Sequence, residues 1–152
     1  MIQKLKFYLM GKSREKKFKH FLSLAKPSEN ATILDVGVAD EEYSPFDNHF
    51  EKKYLYQHRI TALSIHPLKE FSKRYPKIKT VTYNGGEFPF EDKQFSVVIS
   101  NAVIEHVGDF NEQLLWAYPN LSKAITYIVF REMVHDFPIL LVSVTKSGPS
   151  KL

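Results

Sequence analysis

The chain has 152 residues, 43% of them hydrophobic and 25% charged, which is ordinary for one globular domain with a sizeable core. It contains no cysteine, which excludes disulfides, thiolate metal sites and cysteine nucleophiles. No apolar segment approaches the roughly 20 residues that span a bilayer, and no signal-peptide cleavage site follows the N-terminus. We expect a cytoplasmic location.

The positive charge is concentrated at the N-terminus. The net charge is +4, but residues 1–26 hold eight basic residues and one acid, so this segment is +7 and the remainder is −3. We therefore divide the chain into a basic helical arm, residues 1–26, and an α/β domain, residues 27–152. No nucleic-acid partner is expected, because such a function would depend on the arm alone.

The arm has the spacing of amphipathic helix. A first helical stretch precedes Gly11, and Ser13 is predicted to cap a second helix over Ser13–Ala25, in which apolar residues recur at three- and four-residue intervals. Its basic face has two interpretations. It contacts a membrane surface or another anionic partner, or it is the solvated face of a helix that covers the sheet, which the pattern favours.

Strands and helices alternate after the arm. The predicted strands are Thr32–Val36, Ile60–Ile65, Lys79–Tyr83, Phe95–Ser100, Thr126–Phe130 and Ile139–Val144. The predicted helices between them are Asp47–Lys53, Leu68–Tyr75 and Asn111–Tyr118. This alternation predicts an α/β fold, with an open, mostly parallel sheet flanked by helices.

The first strand carries the most informative residues. Asp35 interrupts a buried apolar run, which normally excludes charge, and Gly37 follows where the backbone turns. Open α/β sheets bind ligands at the carboxyl ends of their strands, so this pairing indicates a ligand site. A core strand followed by a turn glycine is the alternative.

Four segments in one order carry a family resemblance. They are Ile33-Leu34-Asp35-Val36-Gly37, Ala62-Leu63-Ser64-Ile65-His66, Asn84-Gly85-Gly86-Glu87-Phe88-Pro89-Phe90, and the run from Phe95 through Glu105-His106-Val107. Together they resemble the class I S-adenosylmethionine-dependent methyltransferases, especially the branch with an LPF-D-x-x-F-D-V-V signature. The resemblance implies a Rossmann-like fold, here incomplete at its C-terminal end, and S-adenosylmethionine as cofactor.

The resemblance also implies roles for single residues. Asp35, Gly37 and Val38 would pass the amino-acid end of the cofactor, and His66 would stand where the family has a carboxylate on the ribose. The adenine pocket would be formed by Asn84, Gly85, Gly86, Glu87 and Phe88. Asn101 and Ala102 would lie beside the methyl group, with His106 as the general base if the nucleophile is protonated. No metal site is expected, because the six histidines lack metal-ligand spacing.

Three departures from the family pattern separate two functions. Val38-Ala39 replaces a second glycine, His66 and Asn84 replace two expected carboxylates, and the likeness ends after Leu115. One function is methyl transfer to a small-molecule or lipid-like acceptor. The other is a degenerate protein of the same fold, naturally trimmed or altered by a frameshift near residue 116, that binds or scaffolds without catalysis. A nicotinamide-binding domain is disfavoured, because Gly-x-Gly-x-x-Gly is missing.

Overall fold

The computed structural model describes residues 2–101, 103, 106 and 124–130. The helices are α1 (Ile2–Ala25), α2 (His49–Lys53) and α3 (Lys69–Arg74), and a 3-10 turn spans Gln57–Arg59. The strands are β1 (Ile33–Val36), β2 (Ile60–Ser64), β3 (Lys79–Thr82), β4 (Phe95–Asn101) and β5 (Ala124–Phe130). The predicted helix Asn111–Tyr118 and strand Ile139–Val144 lie outside the described residues.

The five strands form one parallel sheet in the order β3-β2-β1-β4-β5. The predicted α/β fold with a parallel sheet is therefore confirmed. The chain leaves β1 toward one side of the sheet and returns to its other side at β4. Crevices outside the carboxyl ends of strands at such a switch point are where open α/β sheets bind ligands.

The arm differs from its prediction in one respect. Residues Ile2–Ala25 form a single helix, so Gly11 does not end a helix and Ser13 lies inside α1 as an exposed residue. A Cβ at Gly11 would stand 2.6 Å from the ring of Phe46, which packs against the helix at this position. The glycine therefore serves close packing and not termination.

Alternation along the buried strands creates two apolar clusters. Ile33, Ala62, Val97 and Ile99 point to the face covered by α1 and α2, where Phe21 is fully buried among them. Leu34, Val36, Leu63 and Val98 point to the opposite face, together with Phe88. Side chains of a strand alternate between faces, so Asp35 shares the α1–α2 face with Ile33.

An aromatic cluster fixes α1 on the sheet. The ring of Phe21 meets Phe50 edge-on at 4.9 Å and Tyr54 at 6.2 Å, and Phe50 and Tyr54 are stacked at 5.3 Å. Such pairs add to the burial energy of the rings, so the arm is packed into the same core as the sheet. Among the described residues, no helix has the length and apolarity that crossing a membrane requires.

Candidate functional site

A cavity of about 270 Å³ opens where β1 and β4 end. We call it the β1–β4 cavity. Its floor includes Asp35, Gly37 and Asn101, and its walls include Arg14 of α1 and Glu51 of α2. Sheet, helix and arm thus each contribute a polar side chain to one space.

Two buried carboxyl groups meet in this cavity. Asp35 is 6% exposed and Glu51 is 3% exposed, and both side chains line the cavity. Burial, and then the neighbouring charge of Glu51, hold the pKa of Asp35 well above its usual range. Burial likewise raises the pKa of Glu51 to about 7. Both carboxyl groups therefore keep a proton to higher pH than an ordinary carboxyl group does, and a cation bound beside them would favour their ionised forms.

One cationic side chain of α1, Arg14, lines the same cavity, and a second, Lys17, contacts a residue of its floor. Arg14 is half-buried, and among the described residues its guanidinium makes no hydrogen bond or ion pair. Lys17 is only 7% exposed, and its Nζ donates to Oδ1 of Asn101 over 3.0 Å. The cavity therefore has carboxyl groups on its sheet and α2 side and the Arg14 guanidinium on its α1 side.

The acidic residues of the loop after β1 hold neighbouring helices in place. Asp40 Oδ1 accepts a hydrogen bond from the Phe71 amide in the first turn of α3. Glu42 accepts from Tyr75 Oη at 2.6 Å and pairs with Lys52 Nζ at 2.8 Å. Burial opposes ionisation of Glu42, but these hydrogen bonds outweigh it and lower its pKa.

Within the described part of the chain, no group of three His, Asp or Glu side chains is placed to hold a metal ion.

Gly37 is required by its backbone and by a neighbour. Its φ is +85°, in the left-handed region, and its amide donates to the Leu63 carbonyl over 2.8 Å. A Cβ at this position would overlap Cγ2 of Val103, which packs directly over the glycine. Val103, two residues after β4, therefore lies across the end of β1.

A second polar region lies at the ends of β2 and β3, and we call it the β2–β3 edge. Ser64, and not His66, is the last residue of β2, and it is 6% exposed. Its Oγ accepts the backbone N–H of His66 over 3.2 Å, while the His66 side chain is exposed. Ser64 thus holds the strand-end position that the sequence interpretation gave to His66.

The segment Asn84–Phe88 follows β3 as a set of turns. Asn84 Oδ1 accepts the Gly86 amide over 3.0 Å, and Gly85 has a φ of +90°. Glu87 is exposed, but Phe88 is 2% exposed and meets Tyr83 edge-on at 5.5 Å. The Phe88 side chain therefore packs in the core on the far face of the sheet, and none of these residues lines the β1–β4 cavity.

The predicted site residues thus fall into two groups. Asp35, Gly37, Val38 and Asn101 line one cavity. His66 and Asn84–Phe88 lie apart from it. His106 is an exposed residue whose amide donates to the Val103 carbonyl over 2.9 Å, and Ala102 lies outside the described residues.

Sequence reasoning missed four residues, Arg14, Lys17, Glu51 and Ser64. Arg14 and Lys17 were indistinguishable from six other basic residues of the arm. Glu51 had no signal, because only the docking of α2 brings it to Asp35. Ser64 could have been found, since the apolar run of β2 ends there.

Comparison with known proteins identifies the family. The sequence profile described as "Methyltransferase domain" matches residues 34–118, more than half of the chain. The chain belongs to this methyltransferase family. No curated protein sequence matches it.

Solved structures, two of them of methyltransferases, share the fold. CalS10, an amino pentose methyltransferase from Micromonospora echinaspora solved with S-adenosylmethionine, superposes with a TM-score of 0.60 at 13% identity, covering 82% of this chain and 51% of that one. The 1,6-didemethyltoxoflavin N1-methyltransferase of Burkholderia thailandensis gives 0.58 at 11% identity, covering 78% and 52%. YcgJ of Bacillus subtilis gives 0.55 at 11%, covering 77% and 50%. This chain therefore spans about half the length of these structures.

Proposed function

We propose that the chain binds S-adenosylmethionine, with the amino-acid end of the cofactor in the β1–β4 cavity, and serves methyl transfer to a small-molecule or lipid-like acceptor. The observation that carries this proposal is the distribution of charge in the cavity. An α-amino acid is a zwitterion, and the cavity sets the Asp35–Glu51 pair opposite Arg14. The matching family and the cofactor-bound relatives support the same assignment.

Each charged residue has a defined part in binding. The carboxyl pair attracts the α-ammonium group, and the Arg14 guanidinium donates to the α-carboxylate in the bidentate geometry that arginine favours. Bound cofactor supplies an electrophilic methyl group on a cationic sulfonium. Transfer is a direct displacement, so holding donor and acceptor in line provides much of the rate. His106 stays the candidate base for an acceptor that carries a proton.

Calorimetric titration with S-adenosylhomocysteine tests the assignment. Arg14→Gln removes a charge-assisted hydrogen bond, which is worth about 1.5–3 kcal/mol, so affinity should fall about ten- to a hundredfold. Arg59→Gln is the matched control, because Arg59 bonds Asn30 away from the cavity. Methylthioadenosine lacks the amino-acid end, so its binding distinguishes a direct contact of Arg14 with that end from an effect of Arg14 on folding. Its binding should be unchanged by Arg14→Gln, whereas equal loss for both ligands would show that Arg14 acts only on folding.

The second candidate is a protein that binds the cofactor without turning it over. Val103 packs directly over Gly37 at the end of β1. The polar groups of that edge are engaged with their own backbone. Tight binding of S-adenosylmethionine without methyl transfer to any acceptor in a broad screen would favour this function. Absence of binding at millimolar ligand by a folded chain would exclude both.

A further inference from the structure

The solvent-facing side of α1 carries a stripe of lysines that the cavity does not use. Tyr8, Lys12, Lys16 and Lys19 follow one another at helical spacing, and all four side chains are exposed. Because the helix rises about 1.5 Å per residue, the stripe is roughly 17 Å long. We call these four residues with Leu9 the α1 stripe.

The stripe combines positive charge with exposed apolar groups. Tyr8 is 58% exposed and Leu9 is 57% exposed, and the Lys12 ammonium stands 5.5 Å from the centre of the Tyr8 ring. The acid nearest to the stripe is Glu15, which is held by Lys19 at 3.7 Å and by His49 at 3.3 Å. The opposite side of α1 is anchored in the core by Phe21. The helix thus covers the sheet with one side and presents the stripe with the other.

We propose that the α1 stripe binds the surface of an anionic phospholipid bilayer. Lysines attract a negatively charged leaflet, and their methylene stems allow neighbouring apolar groups to approach the headgroup region. Tyrosine and leucine at one end of such a helix insert at the boundary of headgroups and acyl chains. This surface is independent of the cofactor proposal, because it lies on the side of α1 away from the β1–β4 cavity.

Two features favour a bilayer over a nucleic acid as the partner. The basic residues of the stripe are all lysines. Arg14, the single arginine of residues 1–26, lines the cavity instead. Lysine acts as a point charge toward a diffuse anionic surface, whereas arginine provides the forked contacts that phosphate recognition favours. Exposed Leu9 has nothing to contact on a phosphate backbone, but gains from insertion into lipid.

Flotation with vesicles tests the surface directly. The full chain should float with vesicles of phosphatidylcholine and phosphatidylserine, remain behind with phosphatidylcholine alone, and be released by added salt. Lys12→Gln with Lys16→Gln should lower the partition coefficient about twenty-five-fold, because each basic residue near an anionic surface contributes a factor of about five. Leu9→Ser should lower it about tenfold through lost apolar insertion.

The matched control removes the same charge elsewhere. Lys69→Gln with Lys77→Gln changes two exposed lysines of the α/β domain and should leave flotation unchanged. An equal loss in this control would overturn the proposal, because net charge alone would then explain binding. Failure to float on phosphatidylserine at low salt would also overturn it. The proposal would also fail if Leu9→Ser bound vesicles as well as the wild type does and a single-stranded oligonucleotide displaced that binding. This result would indicate that the stripe binds nucleic acid. Unchanged far-ultraviolet circular dichroism in each variant confirms that α1 is intact.

Discussion

The β1–β4 cavity and the β2–β3 edge stand side by side at the carboxyl ends of the same sheet, yet their polar groups are used differently. In the cavity, groups from separate elements face one another, and Asp35 of β1 meets Glu51 of α2. At the edge, Ser64 and Asn84 accept hydrogen bonds from amides two residues along the chain. The cavity is thus lined by polar groups from separate elements, whereas the polar groups of the edge accept hydrogen bonds within local turns.

This difference follows from how buried polar atoms are satisfied. A buried carboxylate is costly, and burial together with the neighbouring Glu51 therefore holds the pKa of Asp35 well above its usual range. A hydroxyl or amide in a turn is satisfied by the nearest backbone N–H. A ligand entering the cavity therefore meets charges that gain from it, while a ligand at the edge displaces contacts that already exist.

The largest expected effect is on the free energy of unfolding, and it compares the core packing on the two faces of the sheet. Phe21 and Phe88 are both deeply buried, at 0% and 2% exposure, on opposite faces of the sheet. Replacing either by alanine should reduce the free energy of unfolding by about 3–5 kcal/mol, measured by urea denaturation. Only Phe21→Ala should accelerate amide exchange along α1, because Phe21 fixes that helix on Phe50 and Tyr54.

Phe21→Leu provides a milder companion that keeps most of the apolar volume. If α1 exchanges equally fast in the Phe21 and Phe88 variants, the helix is held by contacts other than the aromatic cluster. The position of α1, which carries Arg14 of the cavity wall, would then depend on the packing of both faces of the sheet and not on the aromatic cluster alone.

The second effect is a dependence of stability on pH that belongs to the cavity. The pKa of Glu51 is raised by burial from 4.5 to about 7, so between these values the folded chain binds more protons than the unfolded chain. The free energy of unfolding should therefore fall as pH rises through this window, by about 3 kcal/mol in total. Glu51→Gln should remove this part of the slope.

Glu29→Gln is the control for this measurement, because Glu29 is exposed in the turn before β1. Its variant should follow the wild-type pH profile. A Glu51→Gln profile identical to wild type would mean that burial does not raise the pKa of Glu51 in the folded chain.

The sequence predicted the sheet better than it predicted either region. β1, β2 and β4 are fully or largely buried parallel strands, so their apolar runs revealed them almost to the residue. Gly11 misled the division of the arm because its reason, the ring of Phe46, comes from a segment distant in sequence. The Asp35–Glu51 pair was likewise hidden, since it depends on tertiary packing. Asp35 and Gly37 were recognisable because a charge and a glycine at a strand end contradict local burial.

The last prediction compares a strand-end residue with its exposed neighbour. The family resemblance places a carboxylate at the end of the second strand, and the structure puts Ser64 there, with His66 two residues beyond. Ser64→Asp should tighten binding of S-adenosylhomocysteine and of methylthioadenosine about ten- to a hundredfold, because a carboxylate accepts stronger hydrogen bonds from ribose than a hydroxyl does. His66→Asp adds the same charge to an exposed loop and should change neither affinity. Equal gains in both variants would mean that added negative charge, and not position, attracts the ligand. A gain in affinity for His66→Asp alone would mean that His66, and not Ser64, lies beside the ribose.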